Sequence, residues 1–182
     1  IEFFQNVVVS LEEPSKIQAS LSPLQETQEE ENRRIQNEEN SLGSLRVVLN
    51  WGEEKVGVVK DIDSHLVAKD RKTGQELWRV NYQNKTSRDG QVNLDVDDRG
   101  WEGPETITIN KSLLNKDVIL EYIIVDFPNA SEGKGLFNSE VTVKVNSGNK
   151  QIKLYSPKEG LGNSYVFFQI INGKIIDVEE YR

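Results

Sequence analysis

The chain has no cysteine and only one histidine, His65. Without cysteine it cannot form disulfides, thiolate metal sites or a cysteine nucleophile. A serine triad is not expected either, because the sequence has no G-x-S-x-G turn and no second histidine. It also has no G-x-G-x-x-G motif and no phosphate-binding loop. These absences exclude the most readily recognised classes of catalytic and nucleotide-binding site.

Long apolar runs and positive charge are also scarce. The longest apolar stretches, VILEYIIV and YVFFQII, have the length of strands and are far shorter than a membrane-spanning helix. No signal peptide is recognisable. The net charge is −8, the sequence pI is near 4.9, and no basic stripe is present. We therefore expect no membrane insertion and no nucleic-acid partner. An acidic chain is better suited to cations or neutral ligands.

Most segments of the chain alternate between polar and apolar residues or form short β-branched runs, and both patterns indicate strands. Asn172-Gly173 joins the last two runs and is a strong signal for a two-residue hairpin. No alternation of strands with long helices is visible. We therefore predict an all-β fold, an antiparallel two-sheet sandwich that is Ig-like or jelly-roll-like, formed by residues 1–182 as a single domain. The predicted strands are Phe3–Leu11, Lys16–Leu21, Leu45–Trp51, Ile62–Ala68, Glu76–Tyr82, Gln91–Val96, Glu105–Asn110, Val118–Asp126, Ser139–Val145, Lys150–Tyr155, Tyr165–Ile171 and Lys174–Val178.

One segment, Leu24–Gly43, differs from the rest of the chain. It contains six Glu and two Arg and has no apolar face. Pairs such as Glu29 and Arg33 have the i,i+4 spacing of a helix, but such pairs cannot stabilise a helix alone. We interpret the segment as a Glu-rich insertion, either a charged loop or a short surface helix.

A run of alternating acids surrounds the only histidine. Side chains at every second position of a strand share a face, so Asp61, Asp63 and His65 are expected to point the same way. Neighbouring carboxylates repel each other unless a cation or hydrogen-bond donors compensate their charge. The run therefore indicates a site that needs a positive or donating neighbour.

A second acidic run begins at Asp95, where Asp97 is expected to share its face, and continues through Asp98 to Glu105 after a Gly-rich loop. The spacing approaches that of an EF-hand loop but departs from it at the fifth and last positions, so no EF-hand is predicted. Carboxylate oxygens gathered on a tight loop nevertheless suit calcium or magnesium.

Three interpretations of the two runs stay open: a divalent cation site, a metal-free cluster of hydrogen-bonded acids, and a set of catalytic carboxylates. Calcium is the favoured metal, because one imidazole without a thiolate is a thin ligand set for zinc or iron. No catalytic residue is assigned. His65 is expected to orient a carboxylate by a hydrogen bond. The candidate metal-site residues are Asp61, Asp63, His65, Asp95, Asp97, Asp98 and Glu105.

Four segments occur in a familiar order: LRVVLNWGE, DIDSHL, LDVDDRGWEGPETITI and SYVFFQIINGKI. Together they resemble the YfaP-like bacterial domain family, which has no established biochemical activity. The resemblance implies an exported protein, in the periplasm or at the cell surface. Members of the family often have a second histidine where this chain has Trp78 and Arg79. If that histidine is a ligand elsewhere, a transition-metal site is disfavoured here.

From these observations we expect a non-catalytic, calcium-stabilised β-sandwich module of an exported or cell-surface bacterial protein, presenting loops to a carbohydrate or protein ligand. Trp101, in the acidic loop, is a weaker candidate for stacking on a sugar. The alternative is a metal-dependent hydrolase that uses the same acids, with His65 as acid or base. A purely structural spacer is the third possibility.

Overall fold

The alternating segments form strands in the computed structural model, which describes residues 43–52, 59, 61–99, 103–114, 116–127 and 135–182. Two helices of four residues each, α1 (Lys111–Leu114) and α2 (Gly135–Asn138), lie between strands. The strands are β1 (Leu45–Asn50), β2 (Asp61–Asp70), β3 (Glu76–Val80), β4 (Val92–Val96), β5 (Glu105–Ile109), β6 (Val118–Phe127), β7 (Thr142–Ser147), β8 (Lys150–Tyr155), β9 (Ser164–Ile171) and β10 (Lys174–Tyr181).

These strands form two five-stranded sheets, in the orders β4-β5-β1-β7-β8 and β10-β9-β6-β2-β3. Every strand pair in both sheets is antiparallel. The predicted antiparallel two-sheet sandwich is therefore confirmed. Among the described residues, no helix is long and apolar enough to cross a membrane.

The described residues all belong to one compact unit. The strands predicted at Phe3–Leu11 and Lys16–Leu21 lie outside the described residues, and so does the Glu-rich segment Leu24–Gly43 except for its last residue. A single domain over residues 1–182 therefore stays a prediction.

The main core lies between the inner faces of the two sheets. Leu45, Val47 and Leu49 alternate along β1, and each is at most 1% exposed. On the opposite sheet, Tyr122 stacks on Phe168 with ring centroids 5.3 Å apart. Burying one such side chain contributes about 1.5–3 kcal/mol to the free energy of folding. The alternating apolar residues therefore stabilise the packing of the two sheets.

The predicted hairpin at Asn172-Gly173 is also confirmed. The φ angles of Asn172 and Gly173 are 51° and 68°, the left-handed region that a type I′ turn requires at both central positions. Asn and Gly adopt this region at the least cost, so the dipeptide fixes the register of β9 against β10.

A buried carboxylate, Glu121, lies on β6 opposite Val67 and Gln169 of the neighbouring strands. The glutamate is fully buried, and Lys69 and Arg182 donate to it at 2.5 and 2.9 Å. Gln169 donates a third hydrogen bond at 2.7 Å. These donors hold the pKa of Glu121 below its ordinary value even though burial acts in the opposite direction. The residue thus ties three strands of the second sheet together.

Replacing Glu121 with Gln is expected to lower the free energy of unfolding by about 1–2 kcal/mol, because the charge-assisted bonds from Lys69 and Arg182 become weaker neutral ones. Urea unfolding of the Glu121→Gln variant measures this loss. The exposed pair of Arg71 and Asp117, 3.4 Å apart, offers a control. Asp117→Asn should change stability by less than about 0.5 kcal/mol, and an equal loss in both variants would contradict the assignment.

Candidate metal centre

The edge of β2 is open where the acidic run begins. Strand β6 pairs with β2 along its whole length, whereas β3 pairs only with the residues from Leu66 to Lys69. The backbone N–H of Ser64 lies beyond the last paired residue and donates instead to Oε2 of Glu105, at 2.5 Å. Glu105 is the first residue of β5 in the other sheet and is fully buried. A carboxylate therefore bridges the two sheets at this edge.

Gly103 and Tyr122 hold this bridge in place. Gly103 has a φ of 71°, and a Cβ there would lie 2.8 Å from Cζ3 of Trp51 and 3.1 Å from the carbonyl oxygen of Leu49. Only glycine allows this approach, which brings the chain into β5 at Glu105. On the facing sheet, the hydroxyls of Ser64 and Tyr122 share a hydrogen bond of 2.8 Å.

Three carboxylates converge at this edge. Asp63, Asp97 and Glu105 each offer an oxygen, and these oxygens all lie within 4.8 Å of one another. Asp63 is 5% exposed, and the side chain of Asp97 is 6% exposed. Lys85 forms an ion pair with Oδ2 of Asp97 at 2.6 Å. The structure thus brings the two acidic runs of the sequence together: Asp63 comes from the first run, and Asp97 and Glu105 come from the second. We call these three residues the carboxylate cluster.

Burial raises the pKa values of two carboxyl groups in the cluster. It raises the pKa of Asp63 to about 7, and the charges of Asp61 and Asp97 add to the effect, while Arg99 partly opposes it. Burial likewise raises the pKa of Glu105 to about 8, although the hydrogen bond from the Ser64 backbone acts in the other direction. At neutral pH the cluster therefore favours either a proton or a cation among its oxygens.

Two oxygens of the cluster are buried without a hydrogen-bond partner among the described residues: Oδ2 of Asp63 and Oε1 of Glu105. A buried acceptor without a donor costs about 1–3 kcal/mol, and more when it is charged. Native proteins satisfy such atoms almost without exception, so two of them in one cluster indicate that a proton or a cation binds there.

The structure places Asp95 away from the cluster. The register of β4 against β5 shifts between Leu94 and Val96, which is a β-bulge. Asp95 lies in this bulge, is exposed, and accepts a hydrogen bond of 2.5 Å from the hydroxyl of Thr108. The expectation that Asp95 and Asp97 share one strand face is therefore wrong, because the bulge breaks the alternation and Asp97 follows the end of the strand. Asp98 is half-buried and comes next in the chain.

His65 lies on β2 but is not part of the carboxylate cluster. Its Nδ1 accepts a hydrogen bond of 2.8 Å from Nη1 of Arg79, so the neutral ring carries its proton on Nε2. That nitrogen is buried and has no hydrogen-bond partner among the described residues. Burial, together with the charge of Arg79, lowers the pKa of His65 to about 4. The imidazole is thus held by an arginine and not by the carboxylate that the sequence analysis expected, and it is uncharged at neutral pH.

A cavity of about 230 Å³ opens beside the cluster. Two aromatic rings, Tyr82 and Phe127, form part of its wall, with centroids 5.3 Å apart. Sequence analysis missed both. Phe127 pairs with Asp61 across β2 and β6, a register that the sequence alone does not reveal, and Tyr82 follows the end of β3. Trp101, the aromatic residue that the sequence favoured in this region, lies outside the described residues. Among the described residues, the cavity is lined by Asp61, Asp63, Tyr82, Asp97, Arg99 and Phe127.

Fold and site together define an antiparallel β-sandwich with a buried three-carboxylate cluster between its sheets. No family model and no curated protein matches the chain. Among solved structures, the chain is similar to the unknown-function protein SAV2460, with a TM-score of 0.61, 13% identity, and coverage of 78% of this chain and 93% of that one. It is also similar to SCO6318 from Streptomyces coelicolor A3(2), a homologue of the telluride resistance protein TerD, with a TM-score of 0.61, 17% identity, and coverage of 78% and 89%. At these identities the similarity shows the fold alone.

Proposed function

We propose that the chain is a non-catalytic β-sandwich module whose carboxylate cluster binds one calcium ion. The observation that carries this proposal is a cluster of three carboxylates, each offering an oxygen within 4.8 Å of the others, in which Asp63 and Glu105 each also have a buried oxygen without a hydrogen-bond partner among the described residues. Lys85 and Arg99 compensate part of the negative charge at this edge, and a cation among the carboxylate oxygens would compensate the rest.

The dimensions and chemistry of the cluster fit calcium better than other common metals. Calcium lies about 2.3–2.6 Å from its oxygen ligands, so two ligands on opposite sides of the ion are about 4.6–5.2 Å apart. Magnesium is usually held by one or two carboxylates and keeps several waters, so a cluster of three carboxylates suits calcium better. All three groups are hard carboxylates, and neither thiolate nor imidazole belongs to the cluster, which disfavours zinc and iron.

The ion would act as a cross-link between the sheets. Asp63 belongs to β2 of one sheet, Glu105 to β5 of the other, and Asp97 follows β4 at the sheet edge. Neutralising their charges would remove a repulsion at this edge and hold β4, β5 and β2 together. The hydrolase alternative gains no comparable support, because its acid or base, His65, is neutral and bonded to Arg79 outside the cluster.

An exported or cell-surface bacterial setting completes the proposal. Its support is the resemblance to the YfaP-like family, carried by the same DIDSHL and LDVDDRGWEGPETITI segments that supply the cluster. Extracellular modules bind calcium with dissociation constants of about 10⁻⁴–10⁻³ M, so a weak site is sufficient in this setting. In this setting the module would present its calcium-fixed edge to a carbohydrate or protein ligand.

Isothermal titration calorimetry with calcium chloride tests the proposal. The chelator-treated protein is expected to bind one calcium ion, more tightly than magnesium. Asp63→Asn and Glu105→Gln each remove one charged ligand with little change in shape, and each should weaken binding by about tenfold or more. The exposed Asp117→Asn variant should bind as the unmodified protein does. Binding that is absent, or equally strong in all four proteins, would contradict a calcium site at the cluster.

A further inference from the structure

We propose that the cavity beside the cluster binds a single sugar ring, whose hydroxyl groups coordinate the calcium ion and whose C–H face packs on Tyr82 and Phe127. This inference rests on the calcium site proposed above and names the ligand class that the same site would take. It goes further in assigning a role to aromatic residues that lie outside the carboxylate cluster.

The cavity and the cluster share two side chains, Asp63 and Asp97. An ion held by the cluster would therefore lie at the wall of the cavity. The cluster is more than a collection of surface acids, because Glu105 is fully buried and its Oε1 has no hydrogen-bond partner among the described residues. Because Asp63 and Asp97 belong to both the cluster and the cavity wall, a ligand in the cavity would lie next to the ion.

Coordination chemistry leaves room for such a ligand. Calcium takes about six to eight oxygens, whereas three carboxylates supply three when monodentate and at most six when bidentate. The remaining positions accept neutral oxygens, from water or from hydroxyl groups. Two adjacent hydroxyls of a sugar ring offer two such oxygens without adding negative charge to a site that already contains three acids.

The aromatic pair supplies the second contact. The rings of Tyr82 and Phe127 are tilted by 55° with centroids 5.3 Å apart, so they form an angled apolar surface. Phe127 is 41% exposed at the end of β6, so its ring is accessible from the cavity. Sugars have one face of C–H groups that packs on aromatic rings, while their edges carry the hydroxyls. The acids on one wall and the rings on another match these two parts of a sugar.

Charge and size argue against the other ligands that such a cavity could suggest. An organic cation in the cavity would lie beside the guanidinium of Arg99, which lines the cavity and repels it, whereas a calcium ion would lie among the carboxylate oxygens of the cluster. The guanidinium of Arg99 is a donor suited to hydroxyl oxygens. The volume of about 230 Å³ is below the about 300–1,000 Å³ of pockets for drug-sized ligands, which suits a single ring.

Saturation-transfer NMR with four probes tests the inference: methyl α-D-mannopyranoside, methyl β-D-galactopyranoside, L-fucose and N-acetyl-D-glucosamine. Each is added to the full chain in calcium and again in excess EDTA. At least one is expected to bind in calcium, with a Kd on the order of 1 mM, and to lose binding in EDTA. Phe127→Ala should weaken that binding by about tenfold while leaving the calcium affinity within about twofold.

Phe137→Ala is the matched control, because Phe137 is 44% exposed on α2 and does not line this cavity. It should leave sugar binding unchanged. If the calcium-loaded protein binds none of the four sugars, or binds one equally well in EDTA or after Phe127→Ala, the sugar site is wrong while the calcium site stands. A chain that binds no calcium in calorimetry would overturn both proposals, so the two failures are distinguishable.

Discussion

Calcium is expected to raise the melting temperature of the protein at pH 8 by about 5–10 °C when the free ion exceeds its Kd about a hundredfold. A ligand that binds only the folded state at this excess adds about 2.7 kcal/mol to the free energy of unfolding. In a domain of this size, each kcal/mol shifts the melting temperature by about 2–4 °C. Differential scanning calorimetry in calcium and in EDTA measures the shift.

The variant Glu105→Gln provides the decisive comparison for this shift. Glutamine retains an oxygen that can accept from the Ser64 backbone, which preserves the bridge between the sheets. Its uncharged amide gives the ion one charged ligand fewer, so at the same calcium concentration a tenfold weaker affinity should reduce the calcium-induced shift to about half, about 3–6 °C. Asp117→Asn changes an exposed acid that neither belongs to the cluster nor lines its cavity, and it should keep the full shift. A full shift in Glu105→Gln would contradict calcium binding at this site.

In EDTA, the stability of the protein is expected to fall as the pH rises from 6.5 to 8. The pKa values of Asp63 and Glu105 are raised to about 7 and about 8 in the folded state, so over this range the folded state holds more protons than the unfolded state. Linkage then makes the free energy of unfolding decrease with pH, by on the order of 2 kcal/mol across the window. The melting temperature should drop by about 4–8 °C.

The titration of His65 determines why the decline in stability is expected above pH 6.5 and not at lower pH. Its pKa is depressed to about 4, so between pH 4 and 6.5 the unfolded state binds the extra proton and stability rises with pH. Below pH 6.5, this increase in stability opposes the decrease that Asp63 and Glu105 cause. Above pH 6.5, His65 is neutral in both states and no longer contributes. Melting curves at half-unit intervals should therefore show the decline most clearly above pH 6.5.

Asp63→Asn and calcium should each remove most of this decline, and Glu105→Gln a smaller part of it. Asp63, with a pKa of about 7, loses most of its proton between pH 6.5 and 8, whereas Glu105, with a pKa of about 8, is only half ionised at pH 8. Calcium replaces the protons that the native cluster would otherwise hold. A chelated protein whose melting temperature is constant or increases from pH 6.5 to 8 would show that Asp63 and Glu105 are already ionised and compensated by other groups.

The sheet architecture could be predicted because its physical cause is local. Alternation with a period of two places one face of each strand in the core, and Lys150–Tyr155 forms a strand with the bounds that its pattern predicts. The Asn172-Gly173 hairpin follows from backbone conformations that those two residues adopt readily. The one-turn helices α1 and α2 escaped prediction because four residues are too few to show a helical period.

The candidate site could be predicted only in part. Repulsion between acids on one strand pointed to both acidic runs, and the structure brings Asp63, Asp97 and Glu105 together. Asp95 was misplaced because a β-bulge changes which way a side chain points, and the sequence carries no clear signal for a bulge. The bond from Arg79 to His65 and the approach of Tyr82 to Phe127 depend on strand register and rotamers, which a single sequence does not specify.

An anomalous-difference map from crystals grown with terbium, which replaces calcium at oxygen sites, tests the central claim most directly. Calcium-type binding predicts one strong peak among the carboxylates of Asp63, Asp97 and Glu105, about 2.3–2.6 Å from their oxygens. The contradicting result is a map with no peak there, in which an oxygen of Asp63 lies within about 2.5–2.7 Å of one of Glu105. That contact would show that a shared proton, and not a metal ion, occupies the centre of the site.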